Sequence, residues 1–291
     1  MKNYLYALFT VIVWSTTATI SKIILTDIPN FEALAISGAF ASLCLLIINI
    51  KSGIIKKMQC YSAKDYLVMI GLGFIGMFVY TAAYNYGLTQ LTSQEACIIN
   101  YLWPIMIVLF SSVILKEKMT AVKIVSLLCS FIGIVVLSAG SGEAAAGNTV
   151  MGIISCVVAA ACYGLFSVLN KKANYDQNIT MMICWLVVTV CSVAIGPFTE
   201  SWKMFSAMQL VGFGWIGIVV NGVGYLLWAI ALRNEKNTAK IANLAYLIPL
   251  FSLIISAVVL GEKLSYNALI GFVLVMGGIL LQSFRGSARN N

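Results

Sequence analysis

The chain has no histidine, and only ten of its 291 residues are acidic. Histidine is the commonest metal ligand and the usual general base near neutral pH, so its absence removes most enzyme chemistry. The eight cysteines, at 44, 60, 97, 129, 156, 162, 184 and 191, form no C-x-x-C pair and almost all fall in apolar runs. Buried thiols of that kind act as small apolar residues, so neither a disulfide frame nor a metal centre is expected. A phosphate-binding loop is also missing, which disfavours ATP-driven work by this chain alone. No catalytic residue, metal or cofactor is therefore expected.

What fills the chain instead is apolar: 61% of residues are hydrophobic, 10% are charged, and the mean hydropathy is +0.96. A water-soluble domain cannot hide that much apolar surface. The runs are continuous over about 20 residues rather than alternating, which in a bilayer requires helices rather than a barrel. The fold class read from this is an all-α polytopic membrane protein. Ten transmembrane helices are expected, at 4–24, 31–50, 65–87, 94–114, 121–139, 149–170, 179–198, 207–232, 238–259 and 266–284. The first run lacks a small-residue cleavage site and reads as a retained span rather than a signal peptide. The third and eighth are long enough to tilt.

Lysine and arginine collect on the cytoplasmic side of membrane proteins. With both termini inside, the inner segments hold Lys2, Lys51, Lys56, Lys57, Lys64, Lys116, Lys118, Lys123, Lys171, Lys172, Arg233, Lys236, Lys240, Arg285 and Arg289. Only Lys22, Lys203 and Lys263 fall outside. That asymmetry predicts a multi-pass protein of the cell inner (cytoplasmic) membrane with cytoplasmic termini. It also accounts for the formal charge of +8 without a nucleic-acid partner.

One stretch, Asn100-Tyr101-Leu102-Trp103-Pro104, places an amide, a phenol, an indole and a proline inside an apolar run. In a helix Asn100 and Trp103 share a face, and Pro104 cannot donate to the carbonyl of Asn100, so a bend is expected there. A related stretch, Tyr246-Leu247-Ile248-Pro249, lies 145 positions later. The same shift pairs Tyr80 with Tyr225, Ser93 with Thr238, Glu117-Lys118 with Glu262-Lys263, and Gly133 with Gly278. Near the N-terminus a shift of 149 pairs Trp14 with Tyr163 and Ser21-Lys22 with Asn170-Lys171. Residues 1–140 and 149–284 therefore read as two repeats of five spans, joined by a linker at 141–148 and followed by a cytoplasmic tail at 285–291. An odd number of spans inverts one repeat relative to the other, and such repeats enclose a central cavity with a substrate site near the bilayer midplane.

Two five-helix halves, each with a proline in its fourth helix followed by Glu-Lys, resemble the EamA-type drug/metabolite transporter superfamily over the whole chain. Trp14-Ser15-Thr16, Asn100 to Pro104 and Asn170-Lys171 further resemble the YddG-type amino-acid exporter branch. The resemblance implies a basket-shaped bundle, a cavity lined by spans 1, 3, 4, 6, 8 and 9, and export of aromatic and other neutral amino acids. Several cavity positions depart from that branch, which leaves the particular substrate open.

The residues themselves sort by face into a candidate substrate site: Trp14, Ser15, Thr17, Tyr80, Tyr84, Asn100, Trp103, Tyr163, Ser167, Tyr225, Trp228, Asn243 and Tyr246. Rings, hydroxyls and amides together suit an aromatic solute or an amphipathic zwitterion. Tyr4, Tyr6, Trp185, Trp202 and Tyr266, nearer helix ends, read as an interfacial belt. Lys22, Glu95, Pro104 and Pro249 are the gating or coupling candidates, Lys22 and Glu95 as partners at the outer mouth. The middle of the first span has no carboxylate, which leaves proton exchange there without support and makes facilitated movement the simplest mechanism. The expectation is thus a secondary transporter that meets only a small-molecule substrate and the bilayer and works as a monomer. A carrier for an amine, a nucleoside-like metabolite or a drug is the alternative, and a membrane enzyme or lipid-handling protein is the remote one.

Overall fold

The computed structural model describes residues 2–116, 119–140, 148–233, 244–245, 247–263 and 266–287. Every regular element among them is helical. In chain order they are α1 (Lys2–Ser15), α2 (Thr17–Asp27), α3 (Asn30–Lys51), α4 (Ala63–Gly73), α5 (Tyr80–Gln90), α6 (Ser93–Asn100), α7 (Trp103–Ile114), α8 (Ala121–Gly140), α9 (Thr149–Ala173), α10 (Gln177–Thr199), α11 (Ala207–Gly214), α12 (Tyr225–Arg233), α13 (Leu247–Leu260) and α14 (Tyr266–Ser287). A short 3₁₀ turn covers Ile54–Cys60, and π-helical stretches cover Phe74–Val79 and Trp215–Gly224. Among the described residues, seven helical runs are long and apolar enough to cross a membrane, and shorter apolar helices cover Leu127–Val136, Leu247–Leu260 and Tyr266–Gly278. Residues 141–147 of the expected 141–148 linker and the repeat marks Glu117, Lys118, Thr238 and Tyr246 lie outside the described residues.

Local chemistry explains where the helices begin. Ser62 and Asp65, Thr92 and Glu95, and Ser206 and Gln209 each form a capping box, in which the two side chains satisfy each other's backbone N–H groups. Asn148 and Asp176 cap α9 and α10 with their side-chain oxygens. Two carboxylates act over longer distances: Glu200 accepts the Phe31 N–H at 2.8 Å near the start of α3, and Glu32 accepts the Lys203 N–H at 2.8 Å.

Besides the fourth, three of the long spans are not uniform α-helices. The first breaks at Thr16, where the backbone N–H turns to Val13 O at 3.1 Å. The third and eighth each begin at a capping box, pass through a π-helical stretch, and resume as α-helix at Tyr80 and Tyr225. A π turn shifts the backbone register and offers carbonyls to neighbours. Within the second such stretch, Val220 O accepts from Trp14 Nε1 at 3.3 Å and Gly224 O accepts from Thr10 Oγ1 at 3.2 Å. Both bonds tie α1 to the eighth span.

The packing is regular. α3 lies along α10, and α8 lies along α14; α1 packs on α12 and α13, while α9 packs on α5 and α7. Large apolar side chains at the periphery, such as Leu67, Val113, Val150 and Phe198, are exposed because their solvent is lipid. Lipid is as apolar as leucine, so close packing and interhelical hydrogen bonds must hold the helices together. The Thr19–Ser256 bond at 3.1 Å, Ser93–Ser256 at 2.7 Å and Tyr101–Ala245 O at 2.7 Å are of that kind.

Candidate functional site

The helix breaks converge on one cavity. Pro104 stands in the first turn of α7, and the chain leaves α6 at Asn100 through a turn at Tyr101 and Leu102. The expected bend is therefore a full interruption: Tyr101 and Leu102 still donate to Cys97 O and Ile99 O at 3.1 and 3.0 Å, after which Ile105 restarts the ladder on Leu102 O. Proline is favoured at a helix start because its missing N–H is not needed there. The interruption leaves Asn100, Tyr101 and Trp103 all on the wall of the cavity.

The cavity has a volume of about 150 Å³. At mid-bundle its wall is aromatic. Trp14 stacks obliquely on Tyr225 and Trp228, with ring centroids 4.9 and 5.5 Å apart. Tyr163 meets Tyr80 at 5.1 Å and Trp103, edge-on, at 5.4 Å. Tyr80 OH receives Asn100 Nδ2 at 3.3 Å. From this layer the cavity extends past Thr17, Ser21, Ser37, Thr81, Asn85 and Phe213 toward the end of the bundle where α2, α5 and α10 finish. Among the described residues, no lysine, arginine, aspartate or glutamate lines it.

Of the residues singled out in the sequence, Trp14, Thr17, Tyr80, Tyr84, Asn100, Trp103, Tyr163, Tyr225 and Trp228 lie together on this wall. Ser15 and Ser167 do not: each hydroxyl turns back onto its own helix, to Val11 O at 2.6 Å and Tyr163 O at 2.8 Å. That i−4 bond is the usual refuge of a serine inside a helix. Pro104 and Pro249 shape helices without lining the cavity. Asn243 and Tyr246 lie outside the described residues.

Lys22 and Glu95 are placed near the mouth, but their closest bonds are not to each other. Lys22 Nζ donates to Leu88 O at 2.7 Å and to Leu91 O, at the end of α5. Glu95 accepts from Thr92 N and Oγ1 at the start of its own helix. The carboxylate that crosses between helices is Glu262, which receives Ser93 and Gln94. In the sequence Glu262 stands out only through its repeat partner Glu117.

Four further residues, from two helices, extend the expected lining. Trp185, read as an interfacial ring, is only 1% exposed, lies 6.3 Å from the Tyr225 ring and lines the cavity. Its place in the sequence gave no signal, because the approach of α10 to Tyr225 is a tertiary contact. Ala33, Leu34 and Ser37 of α3 also line the wall, so the second and seventh spans join the six expected. Three polar atoms of lining residues, Asn100 Oδ1, Trp185 Nε1 and Ser252 Oγ, are buried with no hydrogen-bond partner among the described residues. The amide oxygen is an acceptor, the indole N–H a donor, and the hydroxyl can serve as either.

The EamA-like transporter family model matches residues 1–139 and again 150–284. The chain belongs to the EamA-like transporter family. Its matched segments are the two halves whose spans enclose the aromatic layer. An uncharacterized transporter of Archaeoglobus fulgidus is 28% identical, over 97% of this chain and 98% of its own. The uncharacterized transporter YvbV of Bacillus subtilis is 26% identical, over 97% and 91%. A solved crystal structure with a TM-score of 0.70 and 21% identity covers 99% of each chain, a likeness of fold. Membership in this EamA-like family, together with the apolar helices, makes the chain an integral membrane transporter rather than an enzyme.

Proposed function

We propose that this EamA-like protein is a secondary carrier for small, net-neutral organic metabolites, with aromatic and other neutral amino acids as the leading class. One observation carries the reading: a cavity walled by tryptophan, tyrosine and neutral hydrogen-bonding groups, with no charged side chain among the described residues. A solute of unbalanced charge would be desolvated there without a counter-ion, which is costly at low dielectric. A zwitterion cancels its own charge, and an aromatic side chain gains from the rings. The unpartnered acceptor of Asn100 and donor of Trp185 suit the ammonium and carboxylate of such a solute. A cationic amine is disfavoured by the lack of a carboxylate, although the rings would attract it.

The mechanism proposed is alternating access by two inverted repeats of five spans, with both termini cytoplasmic and the monomer as the working unit. The seven long helical runs and three shorter apolar helices match that number. The pairing of α3 with α10 and of α8 with α14, and the matched packing of α1 and α9, support a two-fold relation. So does the shared order of capping box, π stretch and tyrosine in the third and eighth spans. The test is uptake of labelled solutes into proteoliposomes. Saturable uptake of neutral aromatic amino acids, uninhibited by simple amines, is expected; uptake of amines alone would overturn the reading.

A further inference from the structure

A second concavity lies away from the central cavity, between the start of the third span and the end of the sixth. Val68, Gly71, Leu72 and Ile75 form one wall, and Phe166, Leu169 and Lys172 much of the other, enclosing about 490 Å³. Gly71 makes the room: a Cβ built there meets nothing within 4 Å. Water takes about 30 Å³ per molecule in the liquid, so this space is far larger than a hydration site, and its walls are apolar.

The groove has a charged end. Lys64 stands four residues before Val68 and seven before Gly71, on the same helical face, at the start of α4. Lys172 closes the other wall in the last turn of α9, and both lysines are exposed. The nearby acids are already engaged. Asp65 accepts from Ser62 N, Ser62 Oγ and Tyr175 OH at 2.8, 2.7 and 2.8 Å, and Asp176 pairs with Lys57 at 2.7 Å. Lys64 also attracts Asp65, which offsets part of its charge, and Lys172 from the other wall adds a second cation at this end. From Lys64 to Ile75 the helix rises about 16 Å at 1.5 Å per residue, close to the roughly 15 Å of hydrocarbon in one leaflet.

We propose that this groove binds one anionic glycerophospholipid, with an acyl chain laid against Gly71 and the phosphate between Lys64 and Lys172. An apolar slot one leaflet deep, with lysines from two helices at its headgroup end, matches such a lipid in both shape and charge. The proposal is independent of what the central cavity carries.

The test uses the full chain in detergent, titrated with phosphatidylglycerol or with phosphatidylcholine of the same acyl chains. Native mass spectrometry reads retained lipid and thermal unfolding reads stabilisation. A one-to-one phosphatidylglycerol adduct and a raised Tm are expected. The double variant Lys64→Gln, Lys172→Gln should weaken retention roughly 25-fold, each surface lysine counting for about a factor of five. Gly71→Leu should weaken it with all charges in place, by filling the slot. Equal retention of the two lipids would overturn the proposal. So would full retention by Gly71→Leu, or equal stabilisation by glycerol phosphate, which has the headgroup without the chain.

Discussion

Glu262 Oε1 accepts the backbone N–H of Ser93 at 2.7 Å, so a carboxylate from beyond the end of α13 sits on the N-terminus of α6. Its other oxygen takes Ser93 Oγ at 3.0 Å and Gln94 N at 3.1 Å. On the opposite side of the same turn, Lys22 holds the carbonyls that end α5. Negative charge at a helix start and positive charge at a helix end both follow the helix dipole. The turn between the third and fourth spans is thereby clamped from the first and ninth.

Glu262→Ala should therefore cost more stability than loss of a local cap. Charge-assisted hydrogen bonds contribute about 1.5–3 kcal/mol each when well shielded, and Glu262 is half-buried, so roughly 1–2 kcal/mol in total is expected. Glu95→Gln, which preserves the capping box, should change little. Thermal unfolding of the two variants in the same detergent checks the order; equal shifts would remove the interhelical role of Glu262.

Two glycines of the third span should respond in opposite ways to alanine. At Gly71 the added methyl meets open space and removes backbone freedom from a helix, so stability should rise by up to about 1 kcal/mol. At Gly76 it would collide with the Phe166 ring on α9, and overpacking of that kind costs about 1–3 kcal/mol. Apparent Tm of purified Gly71→Ala and Gly76→Ala is the measurement.

Trp103→Ala should abolish uptake while leaving folded protein in the membrane. The ring is half-buried and meets the rings of Tyr101 and Tyr163, which are other wall residues. Uptake at the native rate, with the variant eluting as a single species, would take Trp103 out of the site.

Trp185→Phe separates binding from folding. It keeps an aromatic ring but deletes a buried N–H that has no partner among the described residues, so stability should hold or rise. If solute accepts that N–H, its KM should rise about tenfold, the worth of one hydrogen bond of roughly 1.4 kcal/mol. An unchanged KM would show that transport does not use the donor.

Uptake should run at the same rate with and without a pH gradient, because no carboxylate among the described residues lines the cavity and the chain has no histidine. Concentrative uptake driven by a gradient would refute facilitation and direct attention to Glu95 and Glu262 at the mouth.

Much of the site was readable because polar and aromatic residues are expensive inside an apolar run. Trp14, Tyr80, Asn100 and Trp103 stood out for that reason, and spacing of three or four residues put them on common faces. Ser15 and Ser167 misled, since a serine can satisfy itself on the turn below it at no cost to its neighbours. Trp185 is the opposite case: a polar-edged ring near a helix end reads as interfacial, and the approach of α10 to Tyr225 places it on the wall.

The sequence alone determined that this is a helical membrane protein, where most spans run, and which polar faces they present, because hydropathy and helical period are local properties. Only the tertiary structure decided that the fourth span stops at Asn100 and restarts at Trp103, that Val220 O and Gly224 O turn to α1, and that Glu262 rather than Glu95 bridges helices. Those outcomes depend on which carbonyl, carboxylate or ring a distant helix brings within reach, and the order of residues along one helix does not contain that distance.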